Sequence, residues 1–206
     1  MINNFKLLQQ IFDNISEDEV ISVMLLKRKK DFTTDKSNHQ SARLIRTYSI
    51  KSLEYFNEKE KEIVELCEFF KCRAYIDIRK KNNKIIALDM LKQIADQIKN
   101  EQYDCPNAYH SILSSSSSKD KVWIIDLDSK DDEIYQKIVN KISEISEHGN
   151  NGKVLYKLPT RQGYNILTTP FRMDYFMKWK EENHIDVDVH KHGTALLYYP
   201  NSLNKE

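Results

Sequence analysis

The sequence predicts a single compact α+β domain in which helices pack on a mixed sheet, and three observations predict it. Length is the first: 206 residues, at roughly 150 per domain, make one substantial domain with a real core. Apolar residues, second, recur at helical intervals in some segments and alternate in others. Third, the last strands follow one another in hairpin-like order, which disfavours a purely parallel sheet. With 4 Gly and 4 Pro against 11 Tyr and 8 Phe, the chain reads as ordered and not as a tether.

Phe5, Leu8, Ile11, Phe12 and Ile15 stand at helical intervals and predict an amphipathic helix over residues 1–15. A polar turn at 16–19 leads to a strand at 20–26, VISVMLL, and the basic run 27–30 opens the polar stretch DFTTDKSNHQS, a solvated connection or a binding loop. A strand at 43–50 and a helix at 58–70 precede RAYIDIR at 73–79. Its alternation puts Ala74, Ile76 and Ile78 on one face and Arg73, Tyr75, Asp77 and Arg79 on the other, a strand expected to be half wet. The helix at 85–99 carries Ile86, Met90, Ile94 and Ile98 at intervals of four, a face for the sheet. SSSSSKD at 114–120 reads as a surface loop too short to divide the chain, so 1–113 is the N-terminal α/β portion of one 1–206 domain. A strand in KVWIIDLDS follows, then a helix at 131–147, a turn at EHGNNG, a strand at 154–158, a turn at PTRQG and a strand at 164–169. A helix at 172–182 and strands at 185–190 and 194–199 complete the order.

Charge excludes a globally basic protein, because 32 Lys and Arg meet 31 Asp and Glu for a net +1. Local patches remain, since field depends on where charges sit. The best of them is the region of Arg73, Arg79 and Lys80, where Tyr75 adds a stacking surface for single-stranded nucleic acid; a solvated edge strand explains the same pattern. Cys67, Cys72 and Cys105 are too few for a disulfide framework or a four-thiolate zinc site. No secretory or transit pattern and no run of 18 apolar residues is present, so the expected location is cytoplasmic, with no membrane partner.

Chemistry concentrates in three later segments. In WIIDLDS the strand period sends Trp123, Ile125 and Leu127 one way and Ile124, Asp126 and Asp128 the other. Carboxylates two apart on a strand can grip Mg²⁺ or Mn²⁺ and leave room for phosphate oxygens; an Asp before a helix can also simply cap it. IDVDVH exposes Asp186, Asp188 and His190 together, so a third carboxylate, Asp188 before Asp186, is available if this strand neighbours the first. It can equally be the wet face of an edge strand. Between them, Thr160, Arg161 and Gln162 present a hydroxyl, a guanidinium fork and an amide beside Gly163, whose missing side chain permits close approach by a phosphate-bearing ligand, or merely a tight turn. Asn165 opens the next strand and can face the same cleft as the acids, while His190 and His192 flank Lys191.

Asp126-Leu127-Asp128, Thr160 to Asn165, and the acids of IDVDVH, in that order across 120–200, resemble the catalytic core of the archaeo-eukaryotic primase and primase-polymerase superfamily. The resemblance implies an RRM-like fold and metal-dependent nucleotidyl transfer from a nucleoside triphosphate to a nucleic-acid 3′-hydroxyl. It implies Asp126, Asp128 and Asp188 as catalytic metal ligands for Mg²⁺ or Mn²⁺, and Thr160, Arg161, Gln162, Gly163 and Asn165 as nucleotide contacts. His190 and His192, beside Lys191, are read from the residues alone as phosphate or nucleic-acid contacts or as incidental surface histidines. Partners would be a nucleoside triphosphate and single-stranded or primed nucleic acid, with unwinding left to a separate helicase. One departure is plain: Asn165 stands where the family carries a phosphate-contacting histidine, and an amide donates a hydrogen bond without a charge. Three alternatives therefore stand beside the enzyme: a catalytically inactive nucleotide or nucleic-acid binding protein, a metal-dependent phosphohydrolase or nuclease, and an interaction protein with solvated acidic strands.

Overall fold

The computed structural model describes residues 1–31, 42–103, 108–116, 118, 120–145 and 153–203. The polar connection after Asp31, the EHGNNG turn and Cys105 lie outside the described residues.

The first 15 residues do not form one helix. Ile2–Asn3 is a short strand, β1, followed by a single helical turn α1 (Phe5–Leu8) and a 3-10 turn (Gln9–Phe12). β1 pairs with the last strand of the chain, and the Asn4 carboxamide donates to the Leu196 carbonyl at 2.9 Å and the Pro159 carbonyl at 3.1 Å. That anchoring keeps the chain extended where the spacing predicts helix. Phe5, Leu8, Ile11 and Phe12 are still buried, because two short turns present them to the same core.

Next come β2 (Glu19–Arg28), β3 (Ala42–Ile50), α2 (Leu53–Phe70), β4 (Arg73–Asn82), α3 (Asn83–Lys99) and α4 (Ala108–Ser115). Side-chain caps set two helix starts: Ser52 accepts from the Tyr55 N–H at 3.1 Å, and Asn82 from the N–H groups of Lys84 and Ile85. α4 falls where no element is expected; its Ile112 and Leu113 bury against Val20 and Ile86. The apolar row of α3 is only partly used, since Ile86 is buried while Ile98 is 53% exposed. Spacing by four drifts about 40° per step around a helix, so three steps carry Ile98 off the packed face.

The rest of the chain contains β5 (Trp123–Leu127), α5 (Asp132–Glu144), β6 (Val154–Pro159), β7 (Tyr164–Thr168), α6 (Met173–Glu182), β8 (Val187–His190) and β9 (Ala195–Tyr199). The fold is a single α+β domain, but with two sheets in place of one mixed sheet. The first is ordered β1-β9-β4-β2-β3 and the second β6-β7-β5-β8, and every pairing among the described residues is antiparallel. β9 crosses from the second sheet into the first, so the chain portions 1–113 and 120–200 share a sheet. A core cluster containing Phe56, Ile76 and Leu197 also takes Ile124, Leu158 and Leu167 from the second sheet. The opposite face of that second sheet, with Ile125, Leu127 and Ile166, packs under α5 and α6 on Ile138, Ile142, Phe171 and Phe176. No helix among the described residues is long and apolar enough to cross a membrane.

β4 corrects an expectation. It is the central strand of the five-stranded sheet, not a half-wet edge, and Asp77 is only 2% exposed. Alternation is right about which residues share a face, yet it cannot say that the strand is central and that none of that face is fully exposed. The basic residues beside it are correspondingly engaged. Arg79 grips both Asp77 oxygens at 2.8 and 2.7 Å, Lys81 reaches Asp77 at 3.1 Å, and the Lys80 ammonium donates to the Asn14 carbonyl at 2.8 Å.

Candidate functional site

β5 lies between β7 and β8, and its register brings the candidate residues into one row. Asp126 stands opposite Asn165 on one side and Asp188 on the other. Directly opposed residues in antiparallel strands point to the same face, so Asp126, Asn165 and Asp188 share the face turned toward the first sheet. The register selects Asp188 over Asp186, which precedes β8. Asp126 is half-buried; Asp128, just past the strand end, and Asp188, on an edge strand, are exposed. Burial pushes the Asp126 carboxyl above the usual carboxylate range, and the charge of Asp128 adds to that push. His190 opposes it, Asp188 reinforces it, and Arg28 opposes it more weakly.

Between the two sheets opens a cleft of about 690 Å³. Of the residues singled out from the sequence, Asp126, Asp128, Thr160, Arg161, Gln162, Asn165 and His190 line it from the second sheet and its hairpin. Arg73 and Tyr75 line it from β4. Asp188, Gly163, Arg79 and Lys80 are not among its lining residues. Lys71, which belongs to the basic stretch read at 71–84, also faces the cleft, as do Arg28, Thr194 and Tyr199, which sequence reading missed. Arg28 ends β2 within the basic run 27–30 and so had a signal. Tyr199 had none, because every residue of β9 is apolar or aromatic and reads as core.

Asn165 is 8% exposed, and both ends of its amide are engaged. Its Nδ2 donates to Asp126 Oδ1 at 2.9 Å, and its Oδ1 accepts from the Leu196 N–H at 3.0 Å. It therefore orients Asp126 and ties β7 to β9, joining the two walls of the cleft. Gly163 is used differently from the sequence expectation. A Cβ there would overlap the Leu127 carbonyl oxygen and stand 2.6 Å from the Ser129 nitrogen. The space that glycine leaves is filled by the chain's own backbone at the Asp128 turn, not by a ligand. Thr160 closes the hairpin, donating its N–H to the Gly163 carbonyl at 2.8 Å and accepting the Gly163 N–H on its hydroxyl at 3.0 Å.

The opposite wall is basic and aromatic. Arg73 pairs with Asp31 at 2.5 Å and lies over the Tyr199 ring at 4.9 Å. Arg161 donates to the Tyr199 hydroxyl at 3.3 Å. The segment after β9, whose Ser202 and Leu203 reach the cleft, is held by Glu68, which accepts from the Tyr198 hydroxyl at 2.8 Å and the N–H groups of Asn201 at 2.9 Å and Ser202 at 3.1 Å.

A pH prediction follows from that latch. Burial alone would raise the Glu68 pKa, but the Asn201 N–H, the Tyr198 hydroxyl and the Ser202 donors outweigh it and hold the carboxyl below its ordinary value. A depressed folded-state pKa means stability that is complete above the unfolded value, about 4.3, and lost as pH falls through the folded one. Denaturant unfolding should show a gap between wild type and Glu68→Ala that is full at neutral pH and closes below about pH 4. A gap that does not change with pH would contradict the ionic latch.

Among the described residues, no group of three or more carboxylates, imidazoles or thiols is placed to hold a metal ion unaided. Asp126 and Asp128 nevertheless fit a cation that arrives with its substrate, because Mg²⁺ commonly takes one or two carboxylates and completes its shell with phosphate oxygens and water. Comparison of the chain with protein-family models, with curated proteins and with solved structures returns no match.

Proposed function

We propose that the cleft binds a nucleoside triphosphate with Mg²⁺ or Mn²⁺ and transfers its nucleotidyl group to a nucleic-acid 3′-hydroxyl. The observation that carries this reading is the pairing of opposites in one cleft: Asp126 on β5 and Asp128 just past it line it together with Arg28 at the end of β2, Lys71 at the end of α2 and Arg73 at the start of β4. Carboxylates for a cation beside guanidinium and ammonium groups for phosphates are what a metal–triphosphate complex requires. Topology lends support. The order β5-α5-β6-β7-α6-β8 with sheet order β6-β7-β5-β8 follows the split β-α-β pattern, which agrees with an RRM-like core.

In this scheme the 3′-oxygen attacks the α-phosphorus, the bond to the β-phosphate oxygen breaks, pyrophosphate leaves and the hydroxyl proton passes to water. Asp126 and Asp128 would hold the cation, which when bound would supply Lewis acidity toward the attacking hydroxyl and countercharge for the phosphate. Asn165 keeps the Asp126 carboxylate in place, and Arg161 and Arg73 orient phosphates. Tyr75 offers a ring against which a base can stack. Asp188 lies in register with Asp126 outside the cleft lining and contributes field.

The second reading is a nucleotide-binding protein that makes no polymer, and the engagement of Asn165 with protein partners favours it. Primed and unprimed templates, offered with ribo- and deoxyribonucleotides and with Mg²⁺ or Mn²⁺, separate the two. Metal-dependent extension that is lost in Asp126→Asn supports the transferase. Nucleotide binding without extension supports the binding protein, and release of phosphate or cleavage of the oligonucleotide points to a phosphohydrolase or nuclease. With neither turnover nor metal-dependent nucleotide binding, the proposal falls.

A further inference from the structure

The connection from β8 to β9 carries Lys191, His192, Gly193 and Thr194, of which Gly193 and Thr194 line the cleft. His192 lines it too, and its Nδ1 lies 2.9 Å from Arg79 Nη1. Arg79 is itself immobilised, with Nε and Nη2 on the two oxygens of Asp77 at 2.8 and 2.7 Å and a side chain only 13% exposed. A guanidinium has five donors and no acceptor. The hydrogen bond to His192 therefore needs the lone pair of Nδ1, and the ring hydrogen must sit on Nε2. The chain Asp77–Arg79–His192 thus runs from a buried carboxylate to an imidazole N–H at the surface of the cleft, and it sets one tautomer of that ring.

We infer that His192 is a phosphate-binding residue of this cleft, donating its Nε2–H to a non-bridging phosphate oxygen, and that Arg79 is its positioning residue. The inference rests on the reading of the cleft as a site for a phosphate-bearing ligand and names a contact within it. A preorganised N–H aimed at an anion strengthens as charge builds there and needs no reorientation when the ligand arrives. It also gives Arg79 a role other than direct contact with nucleic acid: its guanidinium faces Asp77 and the ring, and the ring faces the ligand.

Nitrogen-15 ring spectra of the labelled full-length chain, with His192 assigned by comparison with His192→Gln, test this directly. In the ligand-free protein Nδ1 should resonate as an acceptor nitrogen and Nε2 as a protonated one, and inorganic tripolyphosphate should shift Nε2. His192→Phe, an exposed replacement, should leave the unfolding midpoint unchanged and weaken tripolyphosphate about tenfold, the size of one hydrogen bond to a charged group. Arg79→Met should populate both tautomers. A hydrogen on Nδ1, or a tripolyphosphate affinity equal in His192→Phe and wild type, overturns the assignment while the cleft reading stands on wild-type binding. If wild type binds neither tripolyphosphate nor nucleotide, the cleft reading and this contact fall together.

Discussion

Asp77→Ala should cost about 3–5 kcal/mol of folding stability, the range for removing one partner of a buried ion pair. Asp77 accepts the Arg79 backbone N–H at 3.2 Å and both arms of its guanidinium, and it meets the Lys81 ammonium at 3.1 Å. The Lys81 side chain is 0% exposed and also donates to the Leu113 carbonyl. Without the carboxylate, Arg79 loses both of its guanidinium bonds to Asp77 and Lys81 loses an ion pair where water does not reach it. Asp77→Asn keeps the volume and one acceptor and should still lose most of this stability, because what Lys81 and Arg79 need is the charge. Urea unfolding with an unchanged slope reads the loss as a lower midpoint. Replacing Asp77 and Arg79 together by Leu and Met should recover part of it, since Arg79 is then not left as a cation without its carboxylate. A single-variant loss under about 1 kcal/mol would mean that the cluster is hydrated and the layer is open.

Gly163→Val should have the second largest effect, and it should be felt at Asp128. The hairpin between β6 and β7 crosses the end of β5 so closely that any Cβ meets the backbone of Leu127 and Ser129. A flexible side chain could swing aside, but a backbone must move with its strand. Overpacking of this kind costs about 1–3 kcal/mol, and contact with backbone places Gly163→Val at the upper end, with Gly163→Ala already measurable. The Thr160–Gly163 closure at 2.8 and 3.0 Å would open with it. Amide shifts confined to 127–131 and 159–164, with weaker Mn²⁺-dependent nucleotide binding, are the expected signature. Unchanged shifts at Leu127 to Ser129 together with an unchanged midpoint would show that the hairpin does not rest on the strand.

Both effects concern residues whose identities were plain in the sequence and whose surroundings were not. Asp77 and Arg79 were read on the correct face of a strand, yet period-two alternation carries no information about whether that face meets water or a second layer. Gly163 was read as a glycine that admits something close. Which atom comes close depends on a contact between residues 127–129 and 163, and no local pattern encodes that distance. α4 shows a different failure, a short helix in a polar stretch whose burial depends on Val20 and Ile86 far back along the chain.

What the sequence determined by itself is the α+β class, most of the helices and strands after residue 19, and the common direction of Asp126 and Asp128. These follow from local period, capping and turn chemistry, which act over a few residues. Tertiary structure alone decided that there are two antiparallel sheets, that Asp188 and not Asp186 faces Asp126, and that Asn165 holds the acid. It also decided that the basic strand is the central one of its sheet and that His192 meets Arg79 at the cleft. Each of these is a pairing between segments tens of residues apart, set by strand register and by which layer covers which face, and those are properties of the assembled core.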